Sequence, residues 1–261
     1  MENGLRKLWA GGGKALNAWC GIPSPVATEN IAQAGWDSIT IDMQHGLVDY
    51  SDMVGMLQAV ATREATPIVR VPWNEPGIIG KALDAGAEGI ICPMINTPEE
   101  AKALADACLY PPDGLRSFGP ARAMWRHGPE YPKHANDQII VMAMIETQKA
   151  VSNLDAILEV PGIHAVYIGP ADLGLTHGFV PKGDRDEPEL LAIIDQILDG
   201  CKRHGKFAGI HCMDPRYAAG MLDKGFDLAT IGADNVLLNT AAKQAVAAAR
   251  GEVGSTGGSL Y

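Results

Sequence analysis

The sequence has no excess of basic residues: its 21 lysines and arginines face 31 aspartates and glutamates, for a formal charge of −10 at pH 7. Proteins that bind nucleic acid usually present a basic surface, because they neutralise phosphates. No apolar run approaches the roughly 20 residues that cross a bilayer. Residues 1–19 lack the apolar core and the small-residue cleavage site of a signal peptide. These absences predict a soluble protein with no nucleic-acid or membrane partner.

Cysteine is scarce and shows no paired spacing. The five cysteines are odd in number, widely scattered and never spaced as C-x-x-C; they are Cys20, Cys92, Cys108, Cys201 and Cys212. A disulfide framework or a zinc knuckle would show a regular or paired pattern. Free thiols fit a reducing compartment better, so we expect a cytoplasmic protein.

The sequence does contain a repeated alternation of a short apolar run and a helical pattern. Eight such units follow one another along the chain. The apolar runs are typical of strands covered on both faces, as in a parallel sheet. The predicted strands are 15–22, 38–42, 67–71, 89–95, 139–146, 165–170, 207–212 and 228–232.

Eight strand–helix units in a chain of this length are typical of a (β/α)8 TIM barrel. An open doubly wound sheet is the alternative, but no G-x-G-x-x-G follows the first strand. We therefore predict the α/β class and a single (β/α)8 TIM-barrel domain over residues 1–261. We also predict a long loop at 110–138 and a flexible C-terminal tail at about 251–261.

Charged residues interrupt the apolar stretches where several of these strands end. Five of them stand out: Asp42 and His45 after the second strand, Arg70 in the third, Glu146 ending the fifth and Asp172 after the sixth. In a TIM barrel the ends of the strands and the loops after them form one rim, which carries the active site. Burying a charge is costly unless it is paired or binds something. We therefore predict that these residues form one functional site.

Two of these residues have the chemistry of a metal site. Glu146 and Asp172 offer hard oxygen ligands from adjacent strands, with no cysteine or paired histidine beside them. Such a pair leaves coordination positions open for water and substrate, as Mg²⁺, Mn²⁺ or Co²⁺ sites often do. The alternative is that Asp172 only caps a helix.

The other three residues suit the chemistry of an enolate. Arg70 carries a permanent cation with a fork of donors that fits a carboxylate or an enolate oxygen, although a structural ion pair is the alternative. His45, oriented by Asp42, is a candidate base near neutral pH. No lysine lies within a predicted strand, which disfavours a Schiff base. The combination predicts metal-assisted enolisation of a 2-keto acid.

Five motifs follow one another along the chain: IDMQHG, VRVPWN, YPPDGLRSFGPARA, MIET and YIGPADL. Through these motifs, from about residue 15 to residue 250, the sequence resembles the HpcH/HpaI family of metal-dependent class II pyruvate aldolases. Members of that family include 4-hydroxy-2-oxoheptanedioate aldolase and 2-keto-3-deoxy sugar acid aldolases. It implies a barrel that exchanges its C-terminal helix between the subunits of a homohexamer, a trimer of dimers. It also implies reversible cleavage of 4-hydroxy-2-keto acids to pyruvate (or hydroxypyruvate) and an aldehyde through a metal-stabilised enolate.

The same resemblance implies metal-binding and acid–base roles for particular residues. Glu146 and Asp172 would hold the divalent cation, Mg²⁺, Mn²⁺ or Co²⁺. His45 and Asp42 would form a catalytic dyad. Met144 departs from the family pattern, because some relatives carry glutamine at this position.

Substrate-binding roles fall on five residues. Arg70 would contact the keto oxygen, while the backbone amides of Ala171 and Asp172 would hold the pyruvate carboxylate. Trp19, at the end of the first strand, is expected to wall the acceptor pocket, with a place in the core as the alternative. Gln44 is also expected to bind the substrate. It stands where many relatives have glutamate, and we expect the loss of this carboxylate beside the dyad to alter the hydrogen bonding of metal-bound water or the basicity of His45.

Two other functions compete with the aldolase. A relative of citrate lyase or malyl-CoA lyase would keep the enolate but act on an acyl-CoA, for which an acidic chain offers no clear basic groove. A catalytically inactive barrel that binds a keto acid is the third candidate. It is disfavoured because candidate acid–base and metal-binding residues are all present.

Overall fold

The computed structural model describes residues 2–252, which form a closed barrel of eight parallel strands. Neighbouring strands pair in chain order, and β8 closes the barrel against β1. The predicted (β/α)8 TIM barrel is therefore confirmed. Of the predicted tail, residues 253–261 lie outside the described part of the chain. The strands are β1 Ala15–Cys20, β2 Ser38–Asp42, β3 Thr66–Arg70, β4 Gly89–Cys92, β5 Ile140–Ile145, β6 Ala165–Ile168, β7 Phe207–Cys212 and β8 Leu228–Ile231.

Helices cover the outside of the barrel, and several of them start with a proline that follows a capping side chain. Ser24 accepts a hydrogen bond from the backbone N–H of Ala27 at 3.2 Å, and Thr97 accepts one from Glu100 at 3.2 Å. Such caps satisfy N–H groups that have no partner within the helix. The helices are α1 Gly4–Ala10, α2 Pro25–Ala32, α3 Tyr50–Val60, α4 Pro76–Asp84, α5 Pro98–Cys108, α6 Ala121–His127, α7 Tyr131–Gln138, α8 Gln148–Ser152, α9 Leu154–Leu158, α10 Pro170–Thr176, α11 Pro188–Arg203, α12 Pro215–Lys224 and α13 Asp234–Ala249.

The short helix α1, which was not predicted, closes the amino end of the barrel. Its Leu5 and Trp9 are buried and join the smaller apolar cluster inside the barrel. The Trp9 indole donates to the carbonyl oxygen of Asp227 at 3.0 Å, and the Asn3 side chain caps the helix. The larger apolar cluster lies between the strands and the surrounding helices. The amino end is therefore closed, and the opposite end is left for a site.

The prediction of one long loop at 110–138 is wrong, because this segment contains α6 and α7. Proline and glycine in this segment favour turns, so the sequence pattern did not predict its two short helices. The buried Arg116 guanidinium holds the segment against the barrel, since it donates to Asp84 at 2.7 Å and to the Tyr131 hydroxyl at 3.1 Å.

Strand register brings the predicted residues to the carboxyl end of the barrel. Asp42 and Arg70 are direct neighbours in the pairing of β2 with β3. Across residues 2–252, every helix is too short or too polar to cross a membrane.

Candidate active site

A cavity of about 400 Å³ opens at the carboxyl end of the barrel. Seven of the eight predicted site residues line it, and five elements or the turns after them supply these residues. The seven are Trp19, Asp42, His45, Arg70, Glu146, Ala171 and Asp172. The sequence therefore predicted which side chains meet here, although their individual roles stay predictions.

A salt bridge between Asp42 and Arg70 forms one wall of this cavity. Arg70 donates from Nε to Oδ1 of Asp42 at 2.8 Å and from Nη2 to Oδ2 at 2.6 Å. The guanidinium carbon lies 4.7 Å from the centre of the Trp19 ring, and the Trp19 indole donates to Oδ2 of Asp42 at 3.1 Å. Nη1 of Arg70 takes no part in this pair and stays free to donate to a substrate.

The charge of Asp42 is stabilised by these neighbours. Burial by itself raises the pKa of this carboxyl group. Donation and charge from Arg70, together with the hydrogen bonds from the Trp19 indole and the Gln44 backbone, outweigh burial and hold the pKa of Asp42 below its ordinary value. Asp42 is therefore an anion at neutral pH and a poor proton acceptor.

A tight turn after β2 carries His45 to the cavity. Oδ1 of Asp42 accepts hydrogen bonds from the backbone N–H groups of Gln44 at 3.0 Å and His45 at 3.3 Å. A Cβ atom on Gly46 would lie 2.2 Å from the carbonyl oxygen of Asp42, so the turn requires glycine there. The His45 side chain is exposed and reaches the rim of the cavity.

The expected contact between Asp42 and the His45 imidazole is not among the hydrogen bonds of the described residues. Both oxygens of Asp42 already accept from Arg70, from Trp19 and from the backbone of the turn. Asp42 thus positions His45 through its backbone in this conformation. A dyad that joins the two side chains stays a prediction.

Glu146 is buried at the end of β5, where its carboxylate faces the same cavity. Its Oε1 accepts a hydrogen bond from the backbone N–H of Met94 at 2.8 Å. Met94 has φ 56°, a left-handed conformation that non-glycine residues rarely adopt. Burial, and to a smaller extent the charge of Asp172, raise the pKa of Glu146 to about 7, although the Met94 N–H and Arg70 oppose this rise. A nearby cation would stabilise its charged form.

The surroundings of Glu146 leave space for a ligand beside its carboxylate. A Cβ atom on Gly169 would lie 2.3 Å from Oε2 of Glu146, so glycine keeps that oxygen accessible. Within residues 2–252, no three or more His, Cys, Asp and Glu side chains form a complete ligand set. Two carboxylates, from Glu146 and Asp172, are the hard oxygen donors that fit a divalent cation in this cavity.

The start of α10 brings backbone N–H groups to the cavity. Ala171 and Asp172 lie in its first turn, where N–H groups have no acceptor within the helix. The buried Arg185 donates from Nε and Nη2 to the carbonyl oxygen of Pro170 at 3.0 and 2.9 Å, which fixes this turn. Arg185 was not predicted, because one arginine in a polar loop carries no sequence signal of such a contact.

Gln44 lies in the turn after β2, next to His45. It is the one predicted residue that does not line the cavity, and its Oε1 is buried without a hydrogen-bond partner. The substrate contact expected of Gln44 stays a prediction.

Tyr167 and His211 line the cavity but were not predicted as site residues. His211 lies in β7 on the same side as Phe207, which packs against the cluster inside the barrel. Residues two apart in a strand share a face. A polar side chain at this position of an apolar strand was the signal that could have identified His211.

Comparison with known proteins connects this geometry with a family. The family model described as HpcH/HpaI aldolase/citrate lyase matches residues 17–241. The chain belongs to this family. The expected membership and the carbon–carbon lyase class of enzyme, an aldolase, are confirmed.

Individual members of the HpcH/HpaI family match nearly the whole chain. It is 42% identical over 248 residues to the hydroxypyruvate/pyruvate aldolase of Rhizorhabdus wittichii, covering 95% of this chain and 99% of that protein. It is 36% identical over 246 residues to the 4-hydroxy-2-oxo-heptane-1,7-dioate aldolase of Escherichia coli, covering 93% of each. The crystal structure of a family protein from Burkholderia cenocepacia superposes with a TM-score of 0.88 at 31% identity, covering 94% of this chain and 98% of that one.

Proposed function

We propose that this protein is a metal-dependent class II aldolase. Its reaction is the reversible cleavage of 4-hydroxy-2-keto acids into pyruvate, or hydroxypyruvate, and an aldehyde. The main observation in support is that one cavity is lined by the Glu146 and Asp172 carboxylates together with Arg70 and His45. Two relatives that match over more than nine-tenths of this chain are named as aldolases, which favours a keto acid over an acyl-CoA.

Glu146 and Asp172 are the residues that would hold the divalent cation, Mg²⁺, Mn²⁺ or Co²⁺. When bound, the cation supplies Lewis-acid polarisation of the keto acid and stabilises negative charge. The raised pKa of Glu146 fits this role, because burial disfavours an uncompensated charge at that position. The accessible Oε2 beside Gly169 supports the same assignment.

The neighbouring groups would orient the keto acid. Arg70 is held by Asp42 and Trp19 in one orientation, so its Nη1 donates to the keto oxygen without reorganisation. The backbone N–H groups of Ala171 and Asp172 would hold the carboxylate of the keto acid.

His45 would move the proton. In the cleavage direction, the C4 hydroxyl loses its proton to this imidazole and the bond between C3 and C4 breaks. The electron pair of that bond passes to the enolate of pyruvate, and the aldehyde leaves. A proton then returns to C3 to give pyruvate, so the reaction has no net redox change.

Oligomer formation through α13 belongs to the same proposal. Within this helix Asp234 is buried and binds the backbone N–H groups of Gly21 and Ile22, whereas the later turns are exposed. Leu238 and Val246 are 64% and 50% exposed. An apolar helix face without cover favours exchange of α13 between subunits of a homohexamer, a trimer of dimers. The five buried free cysteines favour a cytoplasmic location.

Chelation followed by metal rescue tests the proposed function. Excess chelator should abolish release of pyruvate from a 4-hydroxy-2-keto acid, and Mg²⁺, Mn²⁺ or Co²⁺ should restore it. Glu146→Gln should weaken binding of Mn²⁺, measured by titration without substrate, because it removes a charged ligand. Full activity in chelator, or trapping of the protein by borohydride with pyruvate, would contradict the proposal.

A further inference from the structure

His211 contributes a polar group to the cavity that the proposed mechanism does not use. Its ring lies edge-on to the Trp19 ring, with centroids 4.9 Å apart, and its Nδ1 lies 3.1 Å from the Tyr167 hydroxyl. Its Nε2 has no hydrogen-bond partner among residues 2–252. An imidazole nitrogen on a cavity wall without a partner is a candidate contact for a substrate.

A chain of buried hydrogen bonds runs from the barrel interior to His211. The hydroxyl groups of Ser38 and Thr40 donate to Oδ1 of Asn17 at 2.8 and 3.0 Å, and Asn17 Nδ2 donates to the Thr230 hydroxyl at 2.9 Å. The Thr230 hydroxyl lies 2.6 Å from that of Tyr167. The Tyr167 hydroxyl in turn contacts Nδ1 of His211, so this series of hydrogen bonds connects side chains from five strands.

Counting protons gives this chain a direction. This series of hydrogen bonds has five contacts, two at Oδ1 of Asn17 and one each for Asn17–Thr230, Thr230–Tyr167 and Tyr167–His211. If Ser38 and Thr40 donate, every contact has one donated proton. Only the second N–H of Asn17 is then left without an acceptor in the series. The reverse direction leaves the Ser38 and Thr40 hydroxyl protons without acceptors, and both side chains are fully buried. Since an unsatisfied buried donor is destabilising, the first direction is favoured.

This direction determines the tautomer of His211. Thr230 donates to Tyr167, and Tyr167 donates to Nδ1 of His211, which must then be unprotonated. Burial and the charge of Arg70 lower the pKa of His211 to about 4, although Asp42 opposes this shift. The ring is therefore neutral at physiological pH, with its one proton on Nε2.

We propose that the Nε2–H group of His211 donates a hydrogen bond to the hydroxyl of a 2-hydroxyaldehyde, and so selects the aldehyde partner of the reaction. This inference rests on the proposed function, in which Arg70 and the start of α10 already bind the oxygens of the keto acid. The aldehyde is the remaining substrate, and an apolar aldehyde leaves this donor without an acceptor. A site built to bond a hydroxyl discriminates strongly against an analogue that lacks it.

Glycolaldehyde and propanal are a matched pair for the test, because they differ by a hydroxyl in place of a methyl group. The readout is the ratio of their kcat/KM values in aldol addition to pyruvate. We expect the wild type to favour glycolaldehyde by about 10-fold or more, as a buried donor left unpaired predicts. His211→Leu should lower this ratio by about 10-fold, because it removes the donor.

His211→Gln is the control variant, since its amide can place an N–H group near the position of Nε2. It should keep the ratio within about threefold of wild type. A general structural defect lowers both kcat/KM values and leaves their ratio unchanged. An unchanged ratio in His211→Leu would therefore overturn the inference, and so would an equal loss in the leucine and glutamine variants.

Tyr167 acts as a positioning residue, which ¹⁵N NMR of the histidine ring can test. The wild type should show His211 protonated at Nε2, and Tyr167→Phe should lose this preference together with part of the glycolaldehyde selectivity. Protonation at Nδ1 in the wild type would overturn the proposed direction. Exchange of pyruvate methyl protons by the wild type, without aldehyde, tests the proposed function separately. If the wild type does not exchange these protons, the proposed function is refuted. If it does, and His211→Leu keeps the wild-type selectivity, only the role of His211 is refuted.

Discussion

Two arginines of this chain each pair with an aspartate beside an aromatic ring, but their surroundings differ. Arg70 binds Asp42 at 2.6 and 2.8 Å, with an indole ring 4.7 Å from its guanidinium carbon. Arg116 binds Asp84 at 2.7 Å, with a tyrosine ring at 4.4 Å. Both arginines also belong to motifs that carried the family resemblance. Pairing and burial therefore do not separate a functional arginine from a structural one.

The neighbours of each arginine make the difference. Arg116 joins the barrel to segment 110–138, and its side chain is 1% exposed between two tyrosine rings. Arg70 is 11% exposed and, besides its partner Asp42, shares its cavity with two carboxylates and two imidazoles. The greater exposure of the Arg70 side chain leaves it available for binding, whereas the Arg116 side chain is enclosed by its neighbours.

Among changes to these two arginine–aspartate pairs, the largest effect is expected from replacing Arg70 by lysine. Lysine cannot donate to Asp42 through two nitrogens and to a substrate oxygen at once. We expect Arg70→Lys to lower kcat/KM for pyruvate release by about 10²-fold or more, as for loss of one oxyanion donor. Arg116→Lys is the matched control and should stay within about threefold of wild type. If Arg70→Lys also stays within that range, Arg70 is structural.

A change in stability is expected at the other arginine. Arg116→Leu removes hydrogen bonds to Asp84 and Tyr131, and we expect it to lower the free energy of unfolding by about 1–3 kcal/mol. Solvent contact at Asp84, whose side chain is 30% exposed, limits this loss. Urea unfolding of the variant beside wild type measures the effect. Equal midpoints and slopes would mean that the 110–138 segment does not depend on this contact.

The smallest expected effect is a pH dependence of the stability that the Asp42–Arg70 ion pair contributes. The folded pKa of Asp42 is depressed, so its ion pair stabilises the fold fully above the unfolded pKa of about 3.9. This contribution is lost as pH falls through the lower folded pKa. The stability gap between wild type and Asp42→Asn should therefore be constant from pH 7 to pH 5 and narrow below about pH 4. Urea unfolding of both proteins from pH 7 to pH 3 measures the gap, and a constant gap would contradict the assigned charge.

Much of the fold was predictable because its local signals agree. Strands 38–42 and 207–212 were predicted with the bounds that the structure has, since continuous apolar runs mark buried strands. Helix α1 was missed because a seven-residue helix before three glycines gives a weak periodic signal. Helices α6 and α7 were missed because proline and glycine in the same segment favour turns.

The site was predictable by position but not by contact. That Asp42 and Arg70 would reach one rim follows from their places at the ends of predicted strands. That they form a two-point salt bridge depends on the register of β2 and β3, which no local pattern encodes. The hydrogen bond between Tyr167 and His211 likewise depends on packing across β6 and β7.

Exchange of the methyl protons of pyruvate with solvent is the most direct test of the central claim, because it requires enolisation and no aldehyde. Wild-type protein with a divalent cation should exchange these protons in D₂O, followed by proton NMR. His45→Ala should lose both this exchange and aldol cleavage by about 10²- to 10⁴-fold, while it binds Mn²⁺ with an affinity near wild type. Normal exchange and cleavage in His45→Ala would contradict the account, and so would loss of Mn²⁺ binding in that variant.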